Sequence, residues 1–234
     1  MPDSLRRLKA VVPVSCIVDV GVRECTEDLI GVFPTYKHYL FEPVDVYFDE
    51  IQRRYETIDH ELHAVALAAK TSEFYLVLIS RPKDGTVTHA ELSPHAVEVD
   101  GIEFMACRPI AGRRFDSLDL ASRIPDDFLL KVDIDGQDLD AVKGFGEHLQ
   151  RASMVIIEFA MWNIVEHLGF LQSAVFVLVD LVDPIYYGHS LYQLDAIFVR
   201  EDRADAVLRP DIRDFDEALW APFSLTWVRR HLSG

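Results

Sequence analysis

CIVDVGVRECTEDLIGVFPTYKHYLFEPVDVYF, residues 16–48, decides how the rest of the chain is read. An apolar run at 16–20 meets a tight turn at Gly21. A helical stretch then stops before Pro34, and a second apolar run follows at 38–42. Short continuous apolar runs of this kind predict buried parallel strands. Thr26 is placed to cap the intervening helix, and Asp28 falls in its first turn, where a carboxylate suits the helix dipole. Each strand closes on an acidic residue: Asp19, beside Gly21, and Glu42, a little over twenty residues later. Such a layout holds an adenosine-containing cofactor. Backbone at the first turn approaches the ligand, and the carboxylate at the second strand tip bonds a ribose diol. A dinucleotide needs three glycines around its pyrophosphate. The turn Gly21-Val22-Arg23-Glu24-Cys25 offers one, which favours S-adenosylmethionine.

The alternation continues outward. The pattern predicts a leading helix at 5–11, a second helix at 46–55 and a third strand at 62–67. That is β-α-β-α-β, a parallel sheet with right-handed crossovers. Residues 72–114 break the rhythm with two further strands, at 74–79 and 97–107, and read as a β-rich insertion beside the sheet. Strands are then expected at 128–134, 154–159, 175–181 and 194–200, with helices at 139–149 and 162–171. Residues 183–192 read as a turn-rich loop, and 203–234 as a helical extension with pieces at 204–208 and 223–232. The whole, residues 1–234, is expected to be one domain.

Composition narrows the function. Half of the 234 residues are apolar and 11% are aromatic, enough for a substantial core. Against 23 Lys and Arg stand 39 Asp and Glu, a formal charge of −16. Nucleic acid and anionic membrane surfaces both reward positive charge, so neither is the expected partner. Cys16, Cys25 and Cys107 have no metal-binding spacing, and no metal is expected. Three sparse thiols suit a reducing, cytoplasmic compartment. No secretion signal is read at the N-terminus, and the longest apolar run, at 174–182, is far too short to span a bilayer. Apolar positions in the last forty residues are candidates for contact between copies of the chain.

A second motif, LLKVDIDGQDLDAVKGFGEHL, occupies residues 129–149. A buried strand ends in Asp133-Ile134-Asp135-Gly136, and a helix begins near Asp138. Ligands of open α/β sheets bind at the carboxyl ends of parallel strands, so these residues belong to the same candidate site. Three clustered carboxylates repel one another. They need a cation, a hydrogen-bond donor or a raised pKa to coexist.

Together IVDVG…FP…YLFEP and LLKVDIDGQDLDAVKG resemble the FkbM family of S-adenosylmethionine-dependent methyltransferases. SLYQLDAIFVRED resembles the family's closing strand, so the similarity runs from about residue 16 to residue 202. The resemblance implies a Rossmann-like class I methyltransferase fold. That is an α/β architecture with a mostly parallel seven-stranded sheet whose last strand is antiparallel, here with a small β insertion. It implies O-methylation of a hydroxyl on a sugar, glycan or secondary metabolite. It assigns Asp19 and Gly21 to the methionine end of the cofactor, Glu42 to the ribose and Val65 and Ala66 to the adenine. Asp133 falls at the junction of cofactor and acceptor, and Leu118 and Asp119 are turn residues. The family's first turn usually reads aspartate-x-glycine-alanine-asparagine-x-glycine. Arg23 stands here for the asparagine and Cys25 for the second glycine. Arg23 either pairs with the cofactor's carboxylate or fills its place. A catalytically silent scaffold with a degenerate cofactor turn is therefore the alternative function.

For the acceptor, a base at the carboxyl edge is required. Asp133, His189 and Glu158 are the candidates, the imidazole because its ordinary pKa lies near 6.5. Tyr186, Tyr187 and Tyr192 around His189 form an aromatic group suited to a sugar face, whereas Trp162 is expected in the core.

Overall fold

A computed structural model describes residues 1–208. The expected helix at 223–232 and most of the expected interface lie outside the described residues. Seven strands form the principal sheet: β1 (Ile17–Val20), β2 (His38–Phe41), β3 (His60–His63), β8 (Phe128–Val132), β9 (Ala152–Ala160), β10 (Phe176–Tyr187) and β11 (Ser190–Arg200). Their order is β10-β11-β9-β8-β1-β2-β3. Only β11 runs antiparallel to its neighbours. The chain leaves β1 toward β2 and β3, then returns on the other side at β8. β1 and β8 therefore flank the switch point, where a crevice opens at the carboxyl edge.

Helices cover both faces. Ile17, Leu129, Met154 and Ile197 pack with Leu5 and Leu8 of α1 (Pro2–Lys9) and Leu29 of α2 (Glu27–Val32). Val18, Leu130, Val155 and Phe198 point the other way. They pack with Ala141 and Val142 of α4 (Asp138–Lys143) and Leu171 of α5 (Ile164–Ser173). Every residue of β1, β2 and β8 is buried, which is why they read as largely apolar runs, interrupted only by Asp19, His38 and Lys131. Among the described residues, no helix is long and apolar enough to cross a membrane.

The insertion is a second sheet, of order β4-β7-β5-β6, built from β4 (Ala66–Leu67), β5 (Ser72–Ile79), β6 (His89–Ser93) and β7 (Phe104–Arg113). Its Leu76 and Leu78 share a core with Leu40, Tyr47 and Ile51, so it is fastened over β2 and α3 (Phe48–Arg54). Three details depart from the sequence reading. The expected strand at 62–67 splits, because the Val65 N–H turns back to the His63 carbonyl at 2.9 Å and sends Ala66 into the second sheet. The expected strand at 97–107 starts only at Phe104. Asp100 Oδ1 ties down the N–H groups of Ile102, Glu103 and Phe104, each at 2.9 Å, as a loop. Finally, 183–192 is a β-hairpin rather than a loop. β10 runs to Tyr187 and pairs back through Ser190 around a two-residue turn, Gly188-His189, with Gly188 at φ +61°.

Candidate active site

A cavity of about 540 Å³ opens at the carboxyl edge, between the principal sheet and the insertion. Gly21, Arg23, Glu42, Val65, Ala66, Asp133 and Glu158 all line it. His189 does not. It sits on the hairpin turn, away from the lining residues.

Two strand-tip turns make the floor. The Gly21 N–H donates to the Phe41 carbonyl and the Asp133 N–H to the Val20 carbonyl, each at 3.0 Å. Gly21 adopts φ +84°, and a Cβ there would stand 1.9 Å from the Asp133 carbonyl oxygen. The glycine is thus required by the packing of one turn on the other, rather than by the approach of a ligand. Arg23 is also left-handed, at φ +54°. That conformation favours asparagine among residues with a side chain, and an arginine is strained in it. Its backbone N–H nevertheless donates to Glu42 Oε2 at 2.8 Å, and the Val44 N–H donates to Oε1 at 2.8 Å. Glu42 is only 4% exposed, and burial pushes its carboxyl up to about 7 despite those donors. Its remaining lone pairs face a cavity whose next wall is the apolar Val65-Ala66-Leu67. A diol acceptor beside an apolar slot fits an adenosyl group.

Strand register orders the opposite wall. On the face covered by α1 and α2, Ile17, Leu129, Met154 and Val199 form one apolar row. One step toward the carboxyl edge, the row reads Asp19, Lys131, Ile156, Ile197. At the edge itself Asp133 follows Lys131, and Glu158 lies directly opposite Asp195. Lys131 is 4% exposed, and its Nζ donates to Asp133 Oδ2 at 2.8 Å. Burial alone would lower the ammonium's pKa, but Asp133 and Asp19 outweigh it and hold it above the usual lysine range. Asp19 is fully buried, with neither oxygen hydrogen-bonded among the described residues, and burial raises its pKa.

The clustered carboxylates coexist by all three routes. Asp133 has the Lys131 cation. Asp138 accepts the N–H groups of Ile134 (2.8 Å) and Gly136 (3.1 Å), shaping the loop, while burial pushes it up to about 7. Asp135, left-handed at φ +51°, is raised by burial. Glu158 accepts the Gln193 side-chain N–H, and burial with the neighbouring Asp133 pushes it up to about 8. Burial likewise pushes Asp195 up to about 6.

Over the cavity lie Thr88 and, from β6, His89, Ala90 and Leu92. The Tyr47 hydroxyl holds this roof by donating to the Val87 carbonyl at 3.0 Å. Outside the cavity lining, Trp162 is 70% exposed, which corrects its expected place in the core. Its ring meets Tyr192 edge-on at 5.1 Å, and Tyr187 lies 5.9 Å from Tyr192. Tyr186 is exposed beside them.

Sequence reasoning missed Lys131, Asp195 and His89. For the first two a signal existed: a charge inside an otherwise apolar strand, LLKV and LDAIF. For His89 none did, because the roof is a tertiary arrangement.

A family model described as the Methyltransferase FkbM domain matches residues 19–178. No curated protein matches the sequence. Among solved structures, the chain is similar to an rRNA methylase from Streptococcus thermophilus (11% identity, 85% of this chain and 93% of that chain covered, TM-score 0.46). It is also similar to a ribosomal protein L11 methylase from Lactobacillus delbrueckii subsp. bulgaricus (11% identity, 86% and 78% covered, TM-score 0.47). A third is a precorrin-6y C5,15-methyltransferase from Geobacter metallireducens GS-15 (8% identity, 85% and 86% covered, TM-score 0.45).

Proposed function

Because this chain belongs to the FkbM methyltransferase family, we propose that it methylates a hydroxyl of a sugar, glycan or secondary metabolite by direct displacement, in the cytoplasm. Its cofactor is S-adenosylmethionine, which supplies an electrophilic methyl group on a sulfonium. Glu42 takes the ribose hydroxyls, Val65 and Ala66 flank the adenine, and the Gly21 turn meets the methionine end. Asp19 stands behind that turn. Asp133, anchored by Lys131, aligns the acceptor hydroxyl. The new oxygen–carbon bond forms as the carbon–sulfur bond breaks, and the hydroxyl proton passes to Asp133 or Glu158. Alignment of this kind supplies much of the rate in a displacement.

The observation that supports an organic hydroxyl acceptor most directly is the exposed aromatic cluster of Trp162, Tyr187 and Tyr192. Trp162 lies just past the end of β9, Tyr192 on β11 and Tyr187 on β10, close in sequence to Glu158 and Gln193. Aromatic faces suit the apolar face of a sugar ring. Isothermal titration with S-adenosylmethionine and S-adenosylhomocysteine is the first test, followed by a sugar panel with the labelled cofactor. Micromolar cofactor binding and methylation of a panel hydroxyl are expected. Methyl transfer only to nitrogen or carbon would end the O-methylation reading.

Arg23 and Cys25 motivate the second reading, a silent scaffold. Absence of cofactor binding by the folded protein, with recovery in an Arg23→Asn, Cys25→Gly variant, would favour it. Against it stands the Glu42 carboxylate, held at the cavity by the Arg23 and Val44 backbone N–H groups.

A further inference from the structure

The principal sheet is poorly provided with a base. At neutral pH Glu158, pushed up to about 8, already holds a proton, and Asp133 Oδ2 is taken by the Lys131 ammonium at 2.8 Å. The second sheet offers another group. His89 of β6 lines the same cavity as Gly21, Asp133 and Asp135. It arrives there from the roof, paired opposite Ile79 of β5.

Hydrogen bonds orient its ring. His89 Nδ1 lies 2.9 Å from Thr88 Oγ1. That hydroxyl donates to the Ile79 carbonyl at 3.3 Å and accepts the Arg81 N–H at 3.1 Å. A hydroxyl has one proton and two lone pairs. With its proton on Ile79, the second lone pair is open to an Nδ1–H, and all three positions are filled. Nε2 is then the unprotonated nitrogen, and it has no hydrogen-bond partner among the described residues. The contact also suits an imidazolium, because Nδ1 carries its proton in both states. At the tip of β8 stands Asp135. Burial raises its pKa, while the His89 ring and the Ala90 N–H both favour its charged form. A carboxylate so placed offsets the charge of a protonated ring.

We propose that His89 Nε2 receives the proton of the acceptor hydroxyl, with Thr88 as the positioning residue that fixes the tautomer. This rests on the hydroxyl-methylation reading above and narrows its last step, leaving Asp133 to align the acceptor. The hydroxyl oxygen bonds the methyl carbon as the carbon–sulfur bond breaks and its electron pair stays on sulfur. The O–H proton moves to Nε2, giving an imidazolium opposite Asp135. Solvent takes that proton before the next turnover.

The test uses the full chain, and its affinity for S-adenosylhomocysteine is measured first. Isotopically labelled histidine in the saturated protein then reports the tautomer of each ring by magnetic resonance. The His89 signal, identified among the nine histidines by its loss in His89→Ala, is expected to be the Nδ1–H form at neutral pH. Thr88→Val should lose that preference and Thr88→Ser keep it. Labelled S-adenosylmethionine is next supplied with glucose, galactose and mannose. His89→Ala is expected to lower kcat at least about a hundredfold, with S-adenosylhomocysteine affinity within about twofold, and added imidazole to recover about tenfold of the loss. His89→Gln, closer in size, should show the same loss. An Nε2–H tautomer overturns the proposal, as does a kcat that survives both substitutions or a loss that imidazole leaves unrelieved. A wild-type protein that binds S-adenosylhomocysteine but methylates none of the sugars overturns the hydroxyl reading, and this assignment with it. Failure to bind S-adenosylhomocysteine strikes at the cofactor reading itself.

Discussion

The Lys131 ammonium lies 2.8 Å from Asp133, almost wholly buried, and Asp19 sits beside it in strand register. One cation from β8 thus holds the chemistry of two strand tips. Lys131→Met removes it and leaves Asp19 facing Asp133. The Lys131 side chain is 5% exposed but that of Asp133 is 42% exposed, so the pair is only half-buried and deleting its cation costs about 1–3 kcal/mol. The variant should lose stability of that order in urea unfolding and lose cofactor affinity in calorimetry. A stable Lys131→Met protein with unchanged affinity would show that the pair does not organise the site.

Gly21→Ala should destabilise the apo protein by about 2 kcal/mol or more, since the added Cβ meets a backbone carbonyl at φ +84°. Thermal unfolding without cofactor decides the point. If only the ligand needs the glycine, apo stability will be unchanged and affinity alone will fall.

Stability should fall as pH rises from about 6.5 to 8. Glu42, Asp138 and Glu158 have folded pKa values raised to about 7, 7 and 8. The native state therefore binds more protons than the unfolded chain, and the slope of unfolding free energy with pH is negative. Their contribution is fully present below the unfolded pKa and lost as pH rises through the folded values. Below pH 6.5 the buried His38 and His167 and the half-buried His63, all lowered chiefly by burial, oppose the trend. Urea midpoints at half-unit pH intervals measure this, and Glu158→Gln should flatten the alkaline limb. A rise in stability over that window would contradict the assignment.

Trp162→Ala should cost little stability, within about 0.5 kcal/mol for so exposed a residue. It should raise KM for the acceptor several-fold and leave cofactor affinity unchanged. Steady-state kinetics with the panel acceptor measures the first and calorimetry the second. An unchanged KM would remove the aromatic cluster from acceptor binding.

Much of the architecture was legible because buried parallel strands are mostly apolar, and turns there must change chain direction within a few residues. Runs such as 16–20 and 128–132 satisfy both. Glu42 and Asp133 were legible for the same reason: a carboxylate ending an apolar run marks a strand tip. Splitting of the third strand at Val65 and extension of the hairpin through Tyr187 were not, because each depends on hydrogen bonds between segments. Cys25 illustrates a milder limit. It replaces a glycine in the family pattern, yet unlike Arg23 it does not adopt positive φ, so the change adds volume without backbone strain.

By itself the sequence determined the order of elements, the two strand-tip carboxylates and the family, because local periodicity and turn chemistry are encoded in neighbouring residues. Only the tertiary structure decided what faces the cavity. Register across four strands set Lys131, Glu158 and Asp195 on one face of the sheet at the cavity, with Asp19 buried beside Lys131, while the second sheet brought β6 to the same cavity and His189 stayed on a turn outside its lining. Those residues lie up to about 180 positions apart in the chain. Their shared electrostatics, one buried lysine among several carboxylates, arises from sheet pairing, which no local window contains.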